Sequence, residues 1–223
     1  MSDQPLQAVS VQPPAPPRVV AIAGMIFSAL FIASLVLVRI AIPADPTDRG
    51  EWVNDASYRD SVRLALNLIP FTGVAFLWFM GVLRNRIGAL EDRFFATVFL
   101  GSGLLFVAML FTAGAIAGAM LESVASEGRL AAHHEMFAFG RRASYAIMNV
   151  FGIKMAAVFI FMTSSIGLRT GFLPRWLTFV GFAKGLVLLL VITEFVWIAL
   201  LFPAWVLLVS AYILITDIAT ETR

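Results

Sequence analysis

The side chains able to do chemistry in this 223-residue chain are few, and most stand inside long apolar runs. Arg63 and Asn67 are four residues apart, as are Tyr145 and Asn149. On a helix that spacing puts each pair on a single face. Lys154 interrupts the apolar run Ala143–Leu168, and Lys184 and Glu194 interrupt the run Trp176–Thr216. A charge at the middle of a bilayer costs on the order of 2.5–3.5 kcal/mol on insertion scales. Each such group therefore demands a partner, an aqueous cavity or a route to the interface. Lys184 has the route, because its side chain tilts toward the helix N-terminus and can snorkel to the headgroups near Trp176. Should the Arg63/Asn67 and Tyr145/Asn149 faces converge with Lys154 and Glu194, they would line a polar vestibule opening away from the cytoplasm, suited to binding or passing a small molecule. In a dry, fully paired core the same residues would be interhelical hydrogen bonds worth about 0.6 kcal/mol each. That arrangement favours an accessory or assembly role.

His133-His134-Glu135 is the one local cluster of metal-ligand types. Adjacent helical residues point about 100° apart, whereas two histidines meet one metal readily at a spacing of four. Further ligands would have to come from Glu122 or Glu127, so solvated loop residues are the plainer reading of His133 and His134. No cofactor is indicated: the adjacency does not suit a bis-histidine haem, and Cys is absent, which removes thiolate nucleophiles, disulfides and Cys-ligated clusters. HExxH, GxSxG, GxGxxG and P-loop patterns are missing, and Ser164-Ser165 has no nearby His. An intramembrane or lipid-directed enzyme using the outer polar groups is thus the second reading, behind a non-enzymatic one.

The elements that must hold these residues follow from composition. Hydrophobic residues make up 60% of the chain and charged ones 13%, with a mean hydropathy of +0.90. A soluble domain is roughly 45–50% apolar. The predicted fold class is therefore all-α: a polytopic transmembrane bundle of six spans with both termini on one side. A Pro-rich tail over 1–18 is expected to be disordered. One domain over 19–220 follows, with spans at about 19–40, 62–83, 94–121, 139–168, 175–197 and 203–218. The run Trp176–Thr216 is twice the length a bilayer about 30 Å thick requires. It must fold back once, and Pro203 in a first helical turn sets the hairpin near Ile198–Phe202. The first run is too long for a secretory signal and lacks a basic n-region, so it reads as a retained span.

Short connections bearing Arg84, Arg86 and Arg93, and Arg169 and Arg175, place themselves and both termini in the cytoplasm. The opposite face carries Arg49, Arg59, Arg63, Arg129, Arg141 and Arg142, so the bias is small. Trp78 and Trp176 suit one interface, and Tyr145, Trp197 and Trp205 the other. Trp52, Val53, Ala56 and Tyr58 have the spacing of a short interfacial helix. Gly114 and Gly118, and Gly181 and Gly185, are small-residue pairs that let helices approach closely, within the chain or between copies. The net charge of +2 and pI near 9.4 reflect headgroup anchors and give no support to nucleic-acid binding. The expected partners are the bilayer itself and another membrane protein or a second copy.

The stretch Ser164 to Leu177, SSIGLRTGFLPRWL, resembles the linker of a group of bacterial multi-pass membrane proteins marked by G-x-L-P-R-W-L, whose activity is unassigned. The resemblance implies about six helices in a bacterial inner membrane and carries no catalytic residues over. The residues explain themselves as a tight turn: Gly171 ends one helix in the left-handed conformation, Pro174 begins the next, and Arg169 and Arg175 sit at headgroups. The two arginines could also hold an anionic lipid.

Overall fold

The computed structural model describes residues 17–41, 55–87, 93–127, 134–190 and 196–221, and every element among them is helical. Helix α1 runs Pro17–Ala41, α2 Ala56–Ile87 and α3 Arg93–Glu127. Helices α4 (His134–Ala146) and α5 (Ile153–Thr170) are joined without a break by a π-helical turn, Ile147–Gly152. Helix α6 covers Arg175–Leu190, and a 3₁₀ turn, Val196–Leu200, leads into α7, Leu201–Glu221. Among the described residues, five stretches are long and apolar enough to cross a membrane: Arg18–Val38, Ala56–Arg84, Arg93–Ser123, Phe137–Thr170 and Trp197–Ile218. The 16 described residues of α6 extend about 24 Å at 1.5 Å per residue.

Several helices begin earlier than their hydropathy predicts, because capping and proline chemistry set helix ends. Pro17 opens α1 inside what composition marks as tail, since a proline at the first position gives up no hydrogen bond. Asp55 caps α2, its Oδ1 accepting from Ser57 N–H at 2.8 Å, so Ala56 and Tyr58 belong to α2 rather than to a separate interfacial helix. Trp52, Val53 and the tail through residue 16 lie outside the described residues. Between α5 and α6, Gly171 adopts φ 72°, ψ 8°, and its N–H donates to Gly167 O at 3.0 Å. Pro203 stands in the first turn of α7, as expected.

Helix α1 packs on α2 and α7, α2 on α3, α3 on α4, the π turn and α5, and α5 on α6. Five of these helices send phenylalanines to one place: Phe27 and Phe31 from α1, Phe76 from α2, Phe106 from α3, Phe159 from α5 and Phe202 from α7. Their rings meet at centroid separations such as 4.9 Å (Phe27–Phe76), 5.1 Å (Phe76–Phe159) and 4.8 Å (Phe106–Phe202). Tilted and edge contacts of this kind add about 0.5–1.5 kcal/mol each beyond burial. Trp205 is fully buried beside this cluster. It is a core residue and not the interfacial anchor its position suggests, because its indole fills the space over Gly181. Trp78, Trp176 and Trp197 are exposed, as ring anchors at an interface would be.

Close approach is built on glycine at several helix contacts, among them those at Gly24 and Gly181. A Cβ at Gly24 would stand 2.0 Å from Ser210 Oγ, and one at Gly181 would stand 2.0 Å from Ser164 Oγ and 2.9 Å from Trp205 Nε1. Ser28 Oγ, fully buried, lies 2.8 Å from Gly24 O and 3.0 Å from Pro203 O, tying α1 to the start of α7.

Candidate functional site

The polar residues singled out by sequence divide between exposed helix faces and positions that bond to helix main chain. On α2, residues 67, 71, 74 and 78 fall on one stripe, and Asn67, Phe71, Val74 and Trp78 are all exposed. Asn67 therefore shares its face with the most exposed apolar side chains of the helix. Arg63, one turn earlier on the same face, reaches Asp60 Oδ1 at 3.4 Å and Glu122 Oε1 of α3 at 3.5 Å. The i, i+4 spacing predicts the shared face of Arg63 and Asn67 correctly. It does not supply the direction in which that face points.

On the second helix, Tyr145 is exposed and Asn149 stands inside the π turn, its side-chain amide donating to Tyr145 O at 3.2 Å. A π turn widens the helix by one residue and frees carbonyls from the regular ladder. An asparagine there can return a donor to its own helix. The pair is thus tied through the Asn149 amide and the Tyr145 main chain.

Lys154, at the start of α5 directly after this turn, is half-buried. Its ammonium donates to Leu188 O at 3.1 Å and to Leu189 O. These carbonyls belong to the last described turn of α6. Lys184 is half-buried on α6, one turn before those carbonyls. Glu194 and His133 lie outside the described residues, and His134 is the first residue of α4. Among the described residues no group of three or more His, Cys, Asp or Glu side chains is placed to hold a metal ion.

Ser164, the hydroxyl nearest to a nucleophile in type, is fully buried against Gly181. Its Oγ, like Trp205 Nε1 and Ser210 Oγ, finds no hydrogen-bond partner among the described residues. At the other end of α5, Arg169 lies over the Phe95 ring of α3, its guanidinium carbon 4.1 Å from the centroid, a cation–π contact.

Hydropathy and spacing overlook one feature, a groove of about 260 Å³ between α2 and α3 lined by Leu66, Ile69, Pro70, Phe111, Gly114 and Ala115. Pro70 lies in the interior of α2 and has no N–H, so the α-helical ladder provides no donor for the carbonyl of Leu66. The proline inside an apolar run was the available signal for a local opening. No protein-family model matches the chain, and no curated protein or solved structure gives a significant match to it.

Proposed function

We propose that this chain is an integral membrane protein of six spans, with both termini in the cytoplasm of a bacterial cell, and that it acts without catalysis as an accessory or assembly protein. Its working surface is its exterior, turned toward lipid and other membrane proteins, rather than a path through its centre. The observation that carries this reading is the phenylalanine cluster to which five helices contribute, packed at ring-contact distances in the middle of the bundle. Apolar rings packed so closely leave no polar lining for a hydrated solute, whose desolvation would be unfavourable throughout.

The positions of the polar groups support the same reading. Lys154 donates to main-chain carbonyls of α6, Asn149 donates to its own helix, and Arg63 and Asn67 are exposed. The Arg18–Asp217 ion pair at 3.5 Å brings the start of α1 beside the end of α7, which supports termini on one side. The cytoplasmic assignment rests on the arginines of the two short connections. The SSIGLRTGFLPRWL resemblance supports the bacterial inner membrane as the location.

Cysteine labelling in the Cys-free chain tests the closed centre. Ser28 is fully buried next to Phe27, and Ser28→Cys changes one atom. In intact vesicles the cysteine is expected to resist a membrane-impermeant maleimide and to react after denaturation, whereas Arg63→Cys reacts at once. Rapid aqueous labelling at position 28 in the folded protein would mean a hydrated path and would return the vestibule reading to first place.

A further inference from the structure

We propose that the α2–α3 groove holds one acyl chain of a phospholipid whose headgroup carries both a phosphate and a primary ammonium, read by Arg63, Asp60 and Glu122. The inference rests on the reading of α2 and α3 as membrane spans and deepens it by naming a partner.

Two aligned stripes define the site. On α2, Arg63, Asn67 and Pro70 follow at spacings of four and three, and on α3, Phe111, Ala115, Gly118 and Glu122 follow at four, three and four. Both sequences run along one helix face. The stripes meet at the top, where Arg63 Nη2 and Glu122 Oε1 are 3.5 Å apart, and lower down they enclose the groove. Between groove and ion pair the surface stays open, since a Cβ at Gly118 would meet nothing within 4 Å. Pro70 is seven residues from Arg63, about 10 Å along the axis. That is the separation expected between a headgroup at the interface and the upper part of its chain. At about 260 Å³, with Leu, Ile, Pro, Phe, Gly and Ala as its walls, the groove is smaller than the roughly 300–1,000 Å³ of drug-sized sites and suits a flexible chain.

Charge at the mouth selects the headgroup. Arg63 makes two long contacts, 3.4 Å to Asp60 and 3.5 Å to Glu122, beyond the 2.7–2.9 Å of a tight charge-assisted pair. A guanidinium has five N–H donors, so it keeps donors for a phosphate. Asp60 and Glu122 are 73% and 70% exposed and retain acceptor positions for an ammonium. A headgroup with only negative charge would meet two carboxylates, and a trimethylated ammonium has no N–H to donate to them. Phosphatidylethanolamine satisfies both signs at once.

The test uses the full chain in nanodiscs of equimolar phosphatidylethanolamine, phosphatidylcholine and phosphatidylglycerol, followed by native mass spectrometry of the released protein. One bound phosphatidylethanolamine is expected, preferred about tenfold over the other two, the worth of one hydrogen bond to a charged group. Ala115→Phe fills the groove from its exposed side and should abolish the adduct with every headgroup. Glu122→Gln leaves the groove open and should keep an adduct while reducing the preference to about twofold or less. Equal binding of the three lipids by the unaltered protein, an adduct that survives Ala115→Phe, or an undiminished preference in Glu122→Gln each overturns the proposal. Should Ala115→Phe fail to fold, the Glu122→Gln result and the unaltered protein's preference decide it. The Ser28→Cys labelling stands apart from all of these, so a closed core and an empty groove can be told from one another.

Discussion

A lysine in an apolar span asks for an explanation that its neighbours in sequence do not give. For Lys154 the partners include the carbonyls of Leu188 and Leu189 on another helix. In a bilayer, where water is scarce, an unmet polar group costs several kcal/mol in the limit, so a charged donor that ties α5 to α6 has structural value by itself. Lys154→Met is expected to lower stability by about 1–3 kcal/mol, as when a buried polar group loses its partner. Lys154→Arg, which keeps the donors, should lose less. Thermal unfolding in lipid nanodiscs followed by circular dichroism measures both, and a melting temperature unchanged in Lys154→Met would mean that the ammonium is not a helix clamp. Its existence as a costly charge was legible from residue type alone. Its bonds to Leu188 and Leu189 were not, because they go to main-chain atoms 34 and 35 residues away. Arg63 and Asn67 show the complementary limit. Their spacing fixes a shared face, but in a bilayer the inner and outer faces of a helix are both apolar, so the usual contrast that tells inside from outside is missing.

At the scale of the elements, the features easiest to read in sequence are those set by backbone chemistry. Gly171 takes the left-handed conformation that its place before Phe-Leu-Pro demands, and Pro203 begins a helix. Gly171→Ala should cost about 1 kcal/mol, the penalty for a Cβ in that conformation, while Gly171→Asn, which tolerates it, should cost less. Equal melting temperatures for the two variants would show that the turn does not require a positive φ. The π turn at Ile147–Gly152 has no such marker, because IMNVFG is ordinary helical sequence. Gly181 was legible as a small residue in a span, but not the use made of it, which is to seat Ser164 and Trp205. Gly181→Ala is therefore expected to destabilise by about 1–3 kcal/mol through overpacking. Ser164→Ala removes the hydroxyl at 2.0 Å, along with a buried group that has no partner among the described residues. Alone it should be close to neutral, and combined with Gly181→Ala it should recover part of the loss. A strictly additive pair in a double-mutant cycle would place the strain elsewhere, with Trp205 the next contact to test.

For the whole molecule the deciding quantity is the parity of its crossings. Five stretches meet the length and hydropathy of a span, and an odd number would put the two chain ends on opposite faces, about 30 Å apart. Arg18 and Asp217 are 3.5 Å apart, so the first turn of α1 and the last turns of α7 share a level. On the six-span proposal, helix α6 is the crossing that restores an even number. It lies antiparallel to α5 through the Gly171 turn, and Lys154 meets it some 17 residues from that turn on either side, about 25 Å by helical rise. That is most of the hydrocarbon thickness, and the five-residue 3₁₀ turn Val196–Leu200 leads directly into α7. Reporter fusions at positions 88, 130, 172 and 223 decide the matter. With six crossings and cytoplasmic termini, fusions at 88, 172 and 223 report the cytoplasm and the fusion at 130 the opposite compartment. A fusion at 223 on the side opposite 172 would leave α6 and α7 as a single net crossing, and the Arg18–Asp217 contact could not then form within one chain.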